Sequence, residues 1–213
     1  MRIRKIIARD WQIVRRLTGG RAILHTDEIT YSVAFPSDHP LVAGTIVESY
    51  RRLSGALLRA LEHLGMTARA DPKAAGAPKL SGPVCFEAPS DYEIAVNGRK
   101  MLGSAQVRKY SGTLQHGSLP LAGDISRICD SLAFADEAAR VEAKIRVRER
   151  AVTLGEALGK SVSWDRAAEA ISSGFGELFD VKLEPAELTP AEHNCAEELF
   201  VTRYAADSWT FRL

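Results

Sequence analysis

The sequence lacks the features that mark secreted, membrane-spanning and nucleic-acid-binding proteins. No stretch approaches the roughly 20 consecutive apolar residues of a membrane span, and the N-terminus has no apolar secretory core. Neither sign of charge is in excess: 28 Lys and Arg stand against 27 Asp and Glu, a formal net charge of +1. Global charge therefore indicates neither a nucleic acid nor a membrane as partner, and the missing signal favours the cytoplasm.

Cysteine is also scarce, and its pattern gives no sign of a disulfide framework or a metal site. The chain has three cysteines, Cys85, Cys129 and Cys195, an odd number without the spacing of metal ligands. In a reducing compartment we expect free thiols and no metal site. A free thiol is either a small buried hydrophobe or a reactive group.

The 213 residues, 46% of them hydrophobic and 26% charged, suit one large domain or a domain with a small appendage. Residues 12–35 contain extended runs, of which Ile29–Phe35 is β-branched and aromatic. Between Pro40 and Gly65, apolar residues recur every three or four positions, which predicts a long helix. Asn97-Gly98 predicts a tight hairpin, and residues 112–119 a further strand. Together they predict an α+β domain with helices packed on a mainly antiparallel sheet.

From Asp124 onward the sequence is mostly helical in character. We predict a helical appendage over residues 124–213 that packs on the preceding part, residues 1–123. Its predicted helices cover residues 124–131, 137–150, 164–179 and 190–204, and residues 180–184 suggest a short strand.

Cys85 is the first candidate for chemistry. Its neighbours Val84 and Phe86 fit a buried, inert thiol, which is the common fate of a free cysteine. The alternative is a nucleophile, which must be a thiolate and therefore needs a nearby cation to lower its pKa. Lys100, two residues beyond the hairpin turn, is a candidate, although it could equally be a solvated strand-end lysine.

The strand that follows the turn offers a narrow slot. Strict alternation places Lys100, Leu102, Ser104 and Gln106 on one face, and Met101, Gly103, Ala105 and Val107 on the other. Gly103 and Ala105 leave room for an extended acyl chain or, alternatively, for close packing against the long helix.

The segment around Gly19-Gly20 combines glycine with positive charge. Arg15-Arg16 precedes the glycine pair, which forms either a simple tight turn or a loop whose amides approach a carbonyl or phosphate. His25 and His116 could each be satisfied core histidines, and two histidines near glycines do not by themselves make a catalytic dyad.

Three co-linear segments resemble the signatures of the lipoate–biotin protein ligase superfamily. They are RRLTGGRAILH (residues 15–25), NGRKMLGSAQ (residues 97–106) and LQHGS (residues 114–118). VCFEAPSDYEI ahead of GRKMLGSAQVR is most similar to the cysteine-dependent octanoyl-[acyl carrier protein]:protein octanoyltransferases. The ending ELTPAEHNCAEELFVTRYAADSW is similar to that branch as well, so the resemblance covers nearly the whole chain.

The resemblance implies both a fold and a reaction. The fold is the class II aminoacyl-tRNA synthetase/biotin synthetase-like α+β architecture. The implied reaction transfers octanoate from octanoyl–acyl carrier protein to Cys85 as a thioester. A lysine of a lipoyl domain or of the glycine-cleavage H protein then takes the acyl group, which is protein lipoylation chemistry. Lys100 would lower the pKa of the cysteine, and neither metal nor ATP is required because the donor is already a thioester.

The same resemblance suggests which residues bind the substrate. The pocket candidates are Arg16, Thr18, Gly19, Gly20, His25, Gly103, Ser104, Ala105, Gln106 and His116. Leu17 replaces the proline that is usual in this signature.

The family carries a further N-terminal segment before this signature, whereas Met1 lies just ahead of it. Residues 1–123 would then be a shortened catalytic domain, and we expect weak activity or pairing of an open sheet edge in a dimer. The alternatives are an ATP-dependent lipoate–protein ligase that forms a lipoyl-adenylate, with ATP and Mg²⁺ as cofactors, and a non-catalytic remnant that binds lipoyl domains or acyl groups. Cys85 in its CF-x-APS setting favours the octanoyltransferase.

Overall fold

A computed structural model describes residues 11–71 and 93–212, which contain a five-stranded antiparallel sheet in the order β1-β5-β4-β3-β2. The strands are β1 (Glu28–Pro36), β2 (Arg69–Asp71), β3 (Glu93–Val96), β4 (Arg99–Lys109) and β5 (Gly112–Pro120). The prediction of an α+β fold with a mainly antiparallel sheet is confirmed.

The β3–β4 hairpin forms where the sequence predicts it. Asn97 and Gly98 both have positive φ, 50° and 75°, as a two-residue hairpin turn requires. Beyond the turn the pairing shifts, since Ala95 pairs with Lys100 but Ile94 pairs with Leu102. This β-bulge places one extra residue in β4 and breaks the alternation of side chains at Lys100.

Helix α1 (Ile46–His63) covers one face of the sheet. Thr45 begins it with a capping box, in which its hydroxyl accepts from the amide of Glu48 and the Glu48 carboxylate accepts from the amide of Thr45. Leu53, Leu57 and Leu61, one helical turn apart, are completely buried in the core.

The C-terminal part adds further helices. They are a 3₁₀ helix at Ile125–Asp130, α2 (Glu137–Arg150), α3 (Leu154–Leu158), α4 (Trp164–Phe179), α5 (Pro190–Leu199), a π-helical turn at Phe200–Tyr204 and α6 (Asp207–Thr210). Helix α4 packs closely on α1, and a Cβ on Gly174 would lie 2.3 Å from the carbonyl oxygen of Ala56. Helix α2 forms a second small core with Ile23 and Leu24.

Four local predictions differ from the structure. Residues 12–24 form no strand, because their polar groups bond to side chains and to the chain end rather than to a ladder. The helix predicted over residues 124–131 is a 3₁₀ helix at Ile125–Asp130, and residues 180–184 form no strand. The last long helix ends at Leu199 and continues as a π-helical turn. Within the described ranges, no helix is long and apolar enough to cross a membrane.

Candidate active site

Lys100 is buried at the start of β4, with 6% of its surface exposed. Its backbone is held on the side that β5 leaves open, where it bridges to Ala151 and its carbonyl accepts from the amide of Val152 at 3.0 Å. A buried ammonium is costly unless it has partners. Lys100 is therefore not the solvated strand-end lysine that the sequence also allowed, and the fold bears the cost of burying its side chain.

The predicted face of Lys100 is wrong, and the bulge is the reason. A Cβ built on Gly103 would lie 3.1 Å from Cε and 3.4 Å from Nζ of Lys100. The ammonium therefore lies over Gly103 rather than on the Ser104 side. Gly103 leaves the space that the lysine side chain occupies, and Lys100 joins the face that carries Gly103 and Ala105.

The loop of residues 15–21 folds around the side chain of Arg16. The guanidinium donates to Thr18 Oγ1 at 2.9 Å and to the carbonyl of Arg21 at 3.3 Å. Gly19 and Gly20 have positive φ, 64° and 95°, and a Cβ on Gly20 would lie 2.6 Å from Arg16 Nη2. The glycine pair is thus both a turn and the space that lets Arg16 curl back.

Thr18 links this loop to the sheet through His116. Thr18 Oγ1 lies 2.8 Å from His116 Nε2, and His116 pairs with Ala105 on the neighbouring strand. Burial, followed by the nearby Arg16 and His25, lowers the pKa of His116, which favours the neutral ring. Because Thr18 Oγ1 accepts from Arg16, its own hydrogen is available to Nε2, which favours the tautomer protonated at Nδ1.

Ser104 and Gln106 lie on the opposite face of the sheet, toward the helices. Ser49 Oγ of α1 donates to Gln106 Oε1 at 2.8 Å. Gln106 Nε2 donates to Gln115 Oε1 at 2.9 Å, and Gln115 Nε2 donates to the Tyr31 hydroxyl at 3.0 Å. This series of hydrogen bonds ends with the hydroxyls of Tyr31 and Ser104, which lie 2.7 Å apart. These two motif residues therefore fix the sheet against α1 from behind rather than line the face of Lys100.

This buried series of hydrogen bonds also contains residues that the sequence did not single out as functional. Tyr31 and Ser49 have no distinctive spacing, and Gln115 stands in the third signature without an assigned role. Burial raises the pKa of the Tyr31 hydroxyl above 10. The place of Gln115 inside the third signature is the signal that could have revealed this hydrogen-bond network.

Gly117 of the third signature leaves the space that the hydrogen-bonded Tyr31 and Ser104 side chains need. A Cβ there would lie 2.5 Å from Tyr31 Cε1, 2.6 Å from the carbonyl oxygen of Gly103 and 2.7 Å from Ser104 Oγ. We expect Gly117→Ala to destabilise the fold by about 1–3 kcal/mol, because ring and backbone must both shift. Urea unfolding measures this free energy.

Gly112→Ala is the matched control on the same strand. Its Cβ would meet other atoms only at 3.6 Å or more, so the change should stay within about 0.5 kcal/mol. Equal midpoints for Gly117→Ala and the unaltered protein would contradict the steric argument.

His25 and Arg15 lie outside the group formed by Lys100, Gly103, Thr18 and His116. His25 Nδ1 lies 2.7 Å from Glu28 Oε1, and its side chain is 54% exposed. Arg15 binds the carbonyls of Thr210 and Arg212 near the end of the chain.

A groove of about 340 Å³ continues the Lys100 face toward the β4–β5 turn. Val107, Leu114 and Ala34 lie side by side on neighbouring strands, one step beyond Ala105 and His116. Leu17 of the arginine loop lines the groove above them. The face therefore runs from a buried cation, over two small residues, into an apolar groove. Cys85, with the whole CF-x-APS segment, lies outside the described residues.

Comparison with known proteins identifies relatives along most of the chain. The family model of the lipoyl protein ligase A/B catalytic domain matches residues 2–176. Octanoyltransferase LipM of Exiguobacterium sp. is 42% identical over 207 residues, which are 94% of this chain and 74% of the relative. Octanoyltransferase LipM of Bacillus subtilis is 37% identical over 204 residues, 93% of this chain and 73% of the relative.

Solved structures share the fold. A bipartite lipoate protein ligase from Thermoplasma acidophilum superimposes with a TM-score of 0.77 at 23% identity, over 98% of this chain and 73% of that one. A lipoate-protein ligase A bound with ATP gives 0.75 at 22% identity, over 98% and 75%. The predicted lipoate–biotin ligase type of fold is confirmed.

Proposed function

Since the chain belongs to the lipoyl protein ligase A/B catalytic-domain family, we propose that it is an octanoyltransferase that carries its acyl group on Cys85. The donor is octanoyl–acyl carrier protein, and the acceptor is a lysine of a lipoyl domain or of the glycine-cleavage H protein. The structural observation that carries this proposal is the buried side chain of Lys100, which lies over Gly103 on the sheet face that also carries Val107 and Leu114 of the apolar groove.

In the first step the Cys85 thiolate attacks the carbonyl carbon of the octanoyl thioester. A new carbon–sulfur bond forms at Cys85, the bond to the carrier sulfur breaks, and the carrier leaves as a thiolate that takes up a proton. Lys100 favours the thiolate form of Cys85 through its positive charge. A thiolate rather than a thiol is needed because the thiol is a weak nucleophile at neutral pH.

In the second step the neutral amine of the acceptor lysine attacks the Cys85 thioester. A carbon–nitrogen bond forms, the carbon–sulfur bond breaks, the nitrogen loses a proton, and the Cys85 thiolate is regenerated. An amide is more stable than a thioester, so the transfer needs neither ATP nor a metal ion.

The octanoyl chain is proposed to lie on the face formed by Gly103 and Ala105, with its tail toward Val107 and Leu114. These positions offer an apolar, side-chain-poor surface. Arg16, Thr18 and His116 would close the face from above through the hydrogen bonds of the arginine loop. Ser104 and Gln106 are assigned a positioning role behind the strand.

ATP dependence tests this function against the ligase alternative. We expect an acceptor domain to gain one octanoyl group from octanoyl–acyl carrier protein without ATP, and nothing from free octanoate with ATP and Mg²⁺. Mass spectrometry of the acceptor measures both arms. Modification only from free acid with ATP would overturn the proposal and favour a ligase. Modification in neither arm, with retained binding of the acceptor, would favour a non-catalytic binding protein.

A further inference from the structure

Four cations from distant parts of the sequence form one cluster beside the arginine loop. They are Arg15, Lys109, Arg203 and Arg212, and we call them the basic cluster. Arg15 Nε donates to the carbonyl of Thr210 at 3.1 Å, and its Nη2 donates to the carbonyl of Arg212 at 2.6 Å. Trp209 Nε1 returns a hydrogen bond of 2.7 Å to the carbonyl of Arg15. The end of the chain is thereby docked on the first arginine of the RRLTGG signature.

Aromatic rings space the cations along the surface. Lys109 Nζ lies 4.8 Å and Arg203 Cζ 5.8 Å from the centre of the Tyr110 ring. Arg203 also lies 5.4 Å from the Trp209 ring, over which Arg212 stacks at 3.7 Å. Such contacts hold guanidinium and ammonium groups in place without neutralising them.

The basic cluster keeps its positive charge. Its partners within the described residues are backbone carbonyls and aromatic rings, with no carboxylate paired to any of the four. The pKa of the exposed Tyr110 is lowered from 10, because Lys109 and Arg203 interact with the phenolate. In the sequence, Asp207 is the one acidic residue between Arg203 and Arg212. A nearly neutral protein thus concentrates positive charge at one place.

That place borders the proposed acyl site. Lys109 and Leu17 both line the 340 Å³ groove, and Arg15 lies two residues before Leu17. Any molecule that delivers an acyl chain into this groove passes close to the basic cluster.

We propose that the basic cluster is the docking surface for the acyl donor, an acidic carrier protein whose thioester is attached through a phosphodiester-linked arm. This assignment rests on the proposed octanoyltransferase function and adds the surface that recognises the donor. Arginines on aromatic faces suit both carboxylates and a phosphodiester. The donor fits better than the acceptor, because the acceptor must bring a lysine, which arrives as a cation and is repelled by like charge.

The test compares the double variant Arg203→Gln/Arg212→Gln with Arg59→Gln/Lys182→Gln, which removes two exposed charges elsewhere. KM for octanoyl–acyl carrier protein should rise about tenfold in the first variant only. KM for octanoyl-pantetheine, which carries neither phosphate nor protein, should not change in either. Arg203→Lys/Arg212→Lys should restore most of the loss, since it keeps the charge.

Binding of the unacylated carrier protein, followed by fluorescence anisotropy, separates docking from catalysis. We expect the affinity to fall with added salt and to be about tenfold weaker in Arg203→Gln/Arg212→Gln. Unchanged carrier affinity in that variant would overturn the docking surface. An equal rise in KM for octanoyl–acyl carrier protein and for octanoyl-pantetheine would overturn it as well. A loss confined to transfer from preloaded enzyme to the acceptor would overturn it too and assign the cluster to the acceptor. Carrier binding without a covalent adduct would instead refute the proposed function and leave the docking intact.

Discussion

Replacing Lys100 by methionine is expected to slow octanoylation of the protein by about 10- to 100-fold at pH 7. The reason is the proposed dependence of the Cys85 thiolate on a nearby cation. Methionine keeps the length of the side chain and its contact with Gly103 but removes the charge. The rate of adduct formation in a single turnover, measured by intact mass, gives the size of the effect.

A pH profile distinguishes loss of charge from loss of structure. In Lys100→Met the rate should rise with pH and approach that of the unaltered protein above about pH 9, where an ordinary thiol ionises unaided. Alkylation of Cys85 by iodoacetamide should show the same shift without any acyl donor. Lys100→Arg should retain part of the neutral-pH rate. A uniform loss at every pH would contradict the charge argument and indicate a displaced strand.

Cys85→Ala is expected to abolish octanoyl transfer from the carrier protein. No other group is proposed to accept the acyl chain, so the loss should reach the detection limit of acceptor modification. The free energy of unfolding, measured with urea, should be the same as that of the unaltered protein, since the change removes a single sulfur atom.

Cys129→Ala and Cys195→Ala are the matched cysteine controls. Cys129 is buried in the second small core and Cys195 is exposed on α5, and neither belongs to a strand of the sheet. Both variants should transfer octanoate at the normal rate, although Cys129→Ala leaves a small cavity that costs some stability. Full activity of Cys85→Ala would contradict covalent catalysis at this residue.

The fold was predictable where local chemistry decides the structure. Asn97-Gly98 has few conformations other than a tight hairpin turn, and the apolar period of residues 46–61 allows only one helix face to be buried. These signals depend on a few neighbouring residues, so they can be recognised without knowing how the rest of the chain folds.

The candidate site was less predictable, because its geometry depends on contacts between distant residues. A single bulge moved Lys100 to the face of Gly103, and alternation counted along the sequence cannot reveal a bulge. Gly117 is needed because Tyr31 crosses it to reach Ser104 and because the carbonyl oxygen of Gly103 lies close to it. That requirement joins three strands and leaves no local pattern.

Family signatures named residues without stating what each one does. Ser104 and Gln106 belong to the second signature, yet they support the strand from the helix side. Arg16 and Gly20 belong to the first signature, and Gly20 leaves the space that the Arg16 guanidinium occupies. The roles of Cys85, Lys100 and the pocket residues in substrate binding stay predictions.

Transfer from the isolated acyl-enzyme is the direct test of covalent catalysis at Cys85. The protein is loaded with octanoyl–acyl carrier protein, freed of donor, and mixed with an excess of acceptor domain, and intact masses are followed in time. We expect one octanoyl group to leave Cys85 and to appear on the acceptor lysine at least as fast as the steady-state turnover. An adduct that persists while the acceptor is modified only by fresh donor would contradict this expectation.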